Sequence, residues 1–174
     1  MHFEQLVPIV VEFVRDHEMF AAPLVFVLAF AESFAFLSLL FPATVLLLAI
    51  GALIGASGVG FWPIWLAAAF GAGLGDGVSY WIGQRVGNRV WCSWPLSRSP
   101  GLLPRARTFF ARWGVTSVFI GRFFGPLRAT IPLVAGASAM PFGRFQAANF
   151  SSALLWAAAM LVPGALGVPW IQAN

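Results

Sequence analysis

The apolar stretch from Met19 to Ser57 is interrupted at Pro42, and that break limits what the stretch can become. The piece after it, Ala43 to Ala56, has fourteen residues. At 1.5 Å per residue this makes about 21 Å of helix, short of a hydrocarbon core of ~30 Å. A helical hairpin that enters and leaves one side of a membrane accommodates such a piece. A single proline-kinked span followed by a loop is the alternative. Residues 115–140 repeat the pattern, with Gly125–Pro126 dividing two short apolar pieces. The spacing predicts two re-entrant hairpins, over 19–57 and 115–140.

Composition puts those hairpins in a bilayer. Hydrophobic residues make up 60% of the 174, charged residues only 9%, and the mean hydropathy is +0.85. A soluble domain carries about 25% charged residues. The chain reads as an all-α integral membrane protein, a single membrane domain over 1–174. Residues 1–18 hold four acids and lack the basic start of a signal peptide. Their apolar positions Leu6, Val7, Val10, Val11 and Val14 fall near one helical face, which predicts an interfacial helix.

Full spans are predicted over 61–83 and 142–168. The first carries Asp76 among Gly71, Gly73, Gly75 and Gly77, small residues that let another backbone approach closely. Between the spans lies an arginine-rich loop and interfacial helix, 84–114, broken by Pro95, Pro100 and Pro104 and closing on the amphipathic "PRARTFFARWG". All ten basic residues are arginine. Six of them (Arg85, Arg89, Arg98, Arg105, Arg107 and Arg112) lie between Gln84 and Gly114 with no acid among them. Positive charge concentrates in cytoplasmic loops, so this segment is assigned to the inside and not to nucleic-acid binding. Trp62, Trp65, Trp81, Trp91, Trp94 and Trp113 cluster near the predicted span ends as interfacial anchors.

The two halves then run in the same order: interfacial helix, broken hairpin, full span. "FPATVLLLAIGALIGASG" (41–58) and "FGPLRATIPLVAGASAM" (124–140) both begin at Phe, turn at Pro and end in small residues. If each hairpin returns to its own side, one crossing separates them and they enter from opposite faces. That is an inverted-topology repeat, an architecture that builds its site from broken helices near the midplane. It puts residue 84 inside and both chain ends outside.

Four ionisable residues fall inside the apolar segments: Glu32, Asp76, Arg122 and Arg128. Such residues cost about 2.5–3.5 kcal/mol each at a helix centre and by default mark a functional site or its support. Asp76 and Tyr80, four apart, share a helix face and read equally well as a structural junction. Arg122 and Arg128 are six apart and diverge on an unbroken helix. A break at Gly125–Pro126 lets both point at a common cavity, where two guanidiniums form a fork suited to phosphate oxygens. Glu32 is the partner that the first hairpin supplies.

These residues also carry a resemblance. Glu32 followed by Pro42, "GDGVSYWIGQRVG" (75–87), "GRFFGPLRATIPLVAG" (121–136) and "MPFGRF" (140–145) are similar to the DedA family, also called SNARE-associated or VTT-domain proteins. The resemblance covers most of residues 25 to 160. It implies a multi-pass protein of the cell inner (plasma) membrane, with two opposed re-entrant hairpins, that moves lipids between leaflets. Bacterial members are implicated in recycling the polyprenyl-phosphate carrier of envelope synthesis, and some members depend on the proton gradient. It also implies that Glu32, Arg122 and Arg128 are functional positions. Many members carry a second acid just after the first hairpin's proline. Here that position is Thr44, which can hydrogen-bond phosphate but cannot carry a proton.

The expected function is therefore a lipid flippase or scramblase for a phosphate-headgroup lipid such as undecaprenyl phosphate. The alternative is an ion- or proton-coupled transporter of a small solute, with Glu32 titrating. Substrate contacts are expected at Arg122, Arg128, Glu32 and Thr44, with Asp76, Tyr80, Pro42, Gly125 and Pro126 in structural or coupling roles. An enzyme is not expected: Cys92 sits in the polar loop, and no His lies in the apolar core. Neither a metal nor a cofactor is expected. Membrane lipids and a proton are the partners, and the glycine-rich faces allow a homo-oligomer.

Overall fold

A computed structural model describes residues 18–34, 47–52, 60–87 and 102–173. The predicted interfacial helix before Glu18, the hairpin turn with Pro42 and Thr44, and residues 88–101 of the arginine-rich loop lie outside these ranges.

The described elements are all helical. A short 3-10 turn, Glu18–Phe20, leads into α1, Ala21–Ser33. Residues 47–52 are helical. There follow α2, Phe61–Val86; α3, Leu102–Trp113; α4, Val115–Gly121; α5, Gly125–Ala137; and α6, Phe142–Ala173. No strand occurs among the described residues.

Helix α2 is the spine, packed against α1, α5 and α6. On the α1 side, Ala21, Val25, Ala29 and Glu32 recur every three or four residues and are all buried. Gly75 makes the approach close: a Cβ there would lie 2.6 Å from the Phe30 carbonyl oxygen and 3.0 Å from the Ser33 Cβ. Gly71, one turn earlier, faces the Phe26 carbonyl, so the pair forms a small-xxx-small contact. Further along α2, Gly83 abuts the Leu133 carbonyl of α5, and Gly136 of α5 abuts the Tyr80 carbonyl.

Two apolar cores result. One joins α1, residues 47–52, α2 and α6 through Val25, Ala29, Leu47, Ile50, Trp156 and Leu161. The other gathers Tyr80, Val118, Ile131, Ala135 and Phe145, with Phe109 and Phe110 of α3 packed against it. There the Tyr80 hydroxyl donates to the Met140 carbonyl, and its ring stacks on Phe145 with centroids 4.4 Å apart.

Helix length sorts the elements. Phe142–Pro163, 22 residues within α6, is long and apolar enough to cross a membrane. Helix α2, at 26 residues and about 39 Å, has the length. Its composition falls short, because Asp76 and the glycines that admit α1 and α5 dilute its hydropathy. Helices α1 and α5, 13 residues and about 20 Å each, are too short for a single crossing.

The break in the 115–140 region falls slightly before its predicted place. The chain leaves the helix at Arg122–Phe124, and Gly125 and Pro126 open α5. The reason is local. Proline has no N–H to leave unbonded in a first helical turn, and its fixed φ suits that position. Pro132 within α5 then removes the helical donor for the Arg128 carbonyl.

Candidate functional site

The four ionisable residues of the apolar segments form two ion pairs, each joining the α4–α5 region to another helix. Arg122 stands at the first residue after α4, with its side chain only 1% exposed. Its Nη2 lies 2.5 Å from Asp76 Oδ2 on α2 and donates to Asn149 Oδ1 on α6 at 2.5 Å. Its Nε donates to Ser152 Oγ at 3.0 Å. Asn149 is itself fixed, since its Nδ2 donates to the Gly73 carbonyl at 2.8 Å and to Gln146 Oε1 at 2.9 Å. Arg122 thus ties α2 and α6 to the helix break.

Arg128, one turn into α5, reaches the opposite partner. Its Nη1 donates to Glu32 Oε1 at 2.9 Å and its Nη2 to Ser33 Oγ at 2.9 Å, both at the end of α1. The guanidinium lies 4.2 Å from the ring centroid of Trp156, a cation–π contact with α6. Its side chain is 10% exposed, more open than that of Arg122.

The two guanidiniums therefore engage different carboxylates. Asp76 Oδ1, Arg122 Nη1 and Arg128 Nε are buried without a hydrogen-bond partner among the described residues. Each arginine so retains an N–H that a bound oxyanion could accept from. Tyr80 lies one turn beyond Asp76 but serves the second core and not the ion pairs. Gly125 and Pro126 begin the helix that carries Arg128. Among the described residues, no group of three His, Cys, Asp or Glu could hold a metal ion.

Sequence reasoning passed over Ser33, Gln146, Asn149, Ser152 and Trp156. A signal for the last four exists. Their spacing of three, three and four places them on one face of α6, a polar stripe in an apolar helix. Read as composition, "QAANFSSALLW" looks only like a packing surface. Read as a helix face, it is a row of partners for a buried cation.

Such features define a class: all-helical membrane proteins in which buried ion pairs pin a broken helix to its neighbours. The VTT domain family matches residues 41–166, and the chain belongs to that family, the DedA family. Over 154 residues it is 33% identical to the inner membrane protein YabI of Escherichia coli, covering 88% of this chain and 61% of that protein. An uncharacterized membrane protein of Buchnera aphidicola is 30% identical over 152 residues, 87% of this chain and 59% of its own. One from Mycobacterium tuberculosis is 42% identical over 95 residues, 52% of this chain and 44% of its own. The chain spans about three fifths of the length of the first two relatives. No solved structure matches.

Proposed function

We propose that this membrane protein moves a phosphate-headgroup lipid, such as undecaprenyl phosphate, between leaflets as a flippase or scramblase. The observation that carries the reading is the Arg128–Glu32 pair. A phosphate oxygen and a carboxylate oxygen compete for the same guanidinium edge, and Arg presents parallel donors that fit either one. When the headgroup arrives, it takes the Glu32 place on Arg128, while Ser33 and Trp156 keep the guanidinium aimed. The released Glu32 is then the group able to take up a proton, since Thr44 cannot. Arg122, more enclosed and more fully bonded, holds the break in shape and offers its remaining N–H to the same phosphate.

In this reading α1 and α5 are arms of two opposed re-entrant hairpins that meet at the Arg128–Glu32 contact. Exchange of that contact for lipid loosens one arm from the other, which couples headgroup binding to movement. The lipid tail stays in the bilayer throughout. The equal lengths of α1 and α5, their common seat on α2, and family membership support the arrangement.

The test is leaflet exchange in vesicles containing the purified protein, read with labelled polyprenyl phosphate and labelled phosphatidylcholine, with and without a pH gradient. Polyprenyl phosphate should move in preference, and Arg128→Gln should abolish the movement. Arg128→Lys should recover little of it, because Lys lacks the planar fork. Exchange of both lipids, indifferent to Arg128, would make the protein a non-selective scramblase. No lipid exchange by folded protein, with Glu32-dependent proton flux, would favour the small-solute reading.

A further inference from the structure

We propose that a groove between α2 and α6 holds one hydrocarbon chain of an anionic membrane lipid, at a site separate from the two arginine pairs and independent of the transport reading. The groove measures about 410 Å³ and is lined by Leu74, Gly77, Val78, Trp81, Phe142 and Gln146. Its size falls in the range of small-molecule pockets, ~300–1,000 Å³. Its walls are apolar apart from Gln146, and Leu74, Val78, Trp81 and Phe142 are each exposed along it. One wall belongs to the helix that has the length and composition to cross a membrane, and an apolar groove on such a helix suits a lipid chain.

Gly77 is what makes the groove deep. A glycine inside a helix costs about 1 kcal/mol relative to alanine, so its presence asks for a cause. At Gly71, Gly75 and Gly83 the cause is packing, because a Cβ would run into a neighbouring carbonyl. At Gly77 a Cβ would meet, among the described residues, only the Gln146 side-chain nitrogen, at 3.5 Å, an ordinary contact. No described helix needs that space, and its omission leaves the groove floor open among the described residues.

Charge identifies the kind of lipid. Arg85 is exposed one turn beyond Trp81, with its guanidinium 4.6 Å from the indole centroid, at the end of the groove. It begins the run of six arginines between Gln84 and Gly114 that contains no acid. A chain lying along Leu74, Val78 and Trp81 puts its headgroup at that end, where a negative charge is favoured. The groove also touches the arginine network from behind. Gln146 forms part of the wall, and its Oε1 accepts from Asn149, which holds Arg122. A chain seated over Gln146 keeps water away from that line of hydrogen bonds.

The experiment is native mass spectrometry of delipidated protein in detergent, titrated with phosphatidylglycerol and, in competition, phosphatidylcholine. The parent protein should retain one phosphatidylglycerol in preference. Gly77→Leu fills the groove and should lose that adduct. Val78→Trp blocks the wall instead and serves if Gly77→Leu does not fold. Arg85→Gln should keep a lipid adduct while its preference for phosphatidylglycerol falls about five-fold. Val27→Leu, at an exposed position of α1 outside the groove, should change neither quantity. Undiminished phosphatidylglycerol binding by well-folded Gly77→Leu and Val78→Trp would overturn the proposal. So would a shift from dimer to monomer in those variants with lipid adducts unchanged, which would give the groove to a second copy. Equal retention of both lipids by the parent would overturn the anionic assignment.

Discussion

Arg122 and Arg128 are the same residue type in the same short segment, yet their surroundings differ. Arg122 is bonded to Asp76, Asn149 and Ser152 and is almost fully enclosed. Removing one partner of a buried pair leaves a charge uncompensated and costs about 3–5 kcal/mol. Asp76→Asn should therefore lower the thermal unfolding midpoint sharply in detergent. Glu32→Gln should lower it less, because the more open Arg128 keeps Ser33 and Trp156. Equal losses in the two variants would end the division into a structural and an exchangeable pair. Trp156 supplies a second check at this scale. A cation–π contact in a partly desolvated site contributes about 1–2 kcal/mol. Trp156→Leu should weaken polyprenyl phosphate binding by roughly ten-fold through a less well-aimed Arg128, measured by titration in nanodiscs. What the sequence revealed at this scale was the set of four charges and Glu32 as a partner from the first hairpin. It could not say that Asp76 takes Arg122, because that pairing depends on how α2, α4 and α6 cross, and no local pattern encodes a crossing.

Among the helices, glycine placement decides which crossings form. Gly75 and Gly77 are two apart on α2 and so face different neighbours. Gly75→Ala would push a methyl into the Phe30 carbonyl and the Ser33 side chain, an overpacking that costs about 1–3 kcal/mol. Gly77→Ala has room, and in lipid-free detergent it should be neutral or stabilising by up to about 1 kcal/mol, the helix-propensity gain. Opposite signs for two neighbouring Gly→Ala changes are the expected result of thermal unfolding. Destabilisation by both would mean that α2 carries a packed face at Gly77 as well. Element existence was legible from the sequence, since α2, α3, α5 and α6 follow apolar runs or an amphipathic segment bounded by Gly and Pro. The exact break before α5 was not, because Gly-Pro reads equally as the end of one helix and the start of the next. Its role was settled by the first-turn preference of proline.

At the scale of the whole molecule, the inverted-repeat proposal makes a claim about sides. If both hairpins return to their own face, α2 and α6 are the crossings, and the arginine-rich segment and the end of α6 lie on opposite sides of the membrane. The chain has one cysteine, Cys92, and it falls within the arginine-rich segment. A membrane-impermeant maleimide added to intact cells should leave Cys92 unlabelled and should label it once the membrane is opened. In Cys92→Ser carrying Asn174→Cys, the new thiol should react in intact cells. Labelling of both thiols from the same side would mean that α6 does not cross as drawn, or that 115–140 crosses fully. The lengths make the second outcome costly: Val115–Gly121 and Gly125–Ala137 are seven and 13 residues, joined by a non-helical turn. A lipid-exposed turn at mid-membrane leaves backbone groups without partners. Here Arg122 is held by α2 and α6, but Phe123 and Phe124 beside it are exposed, so a full crossing would put part of the turn against lipid. Arg122 ties α2 and α6 to the residue at which the helix breaks, and the labelling pattern tests whether that break turns the chain back.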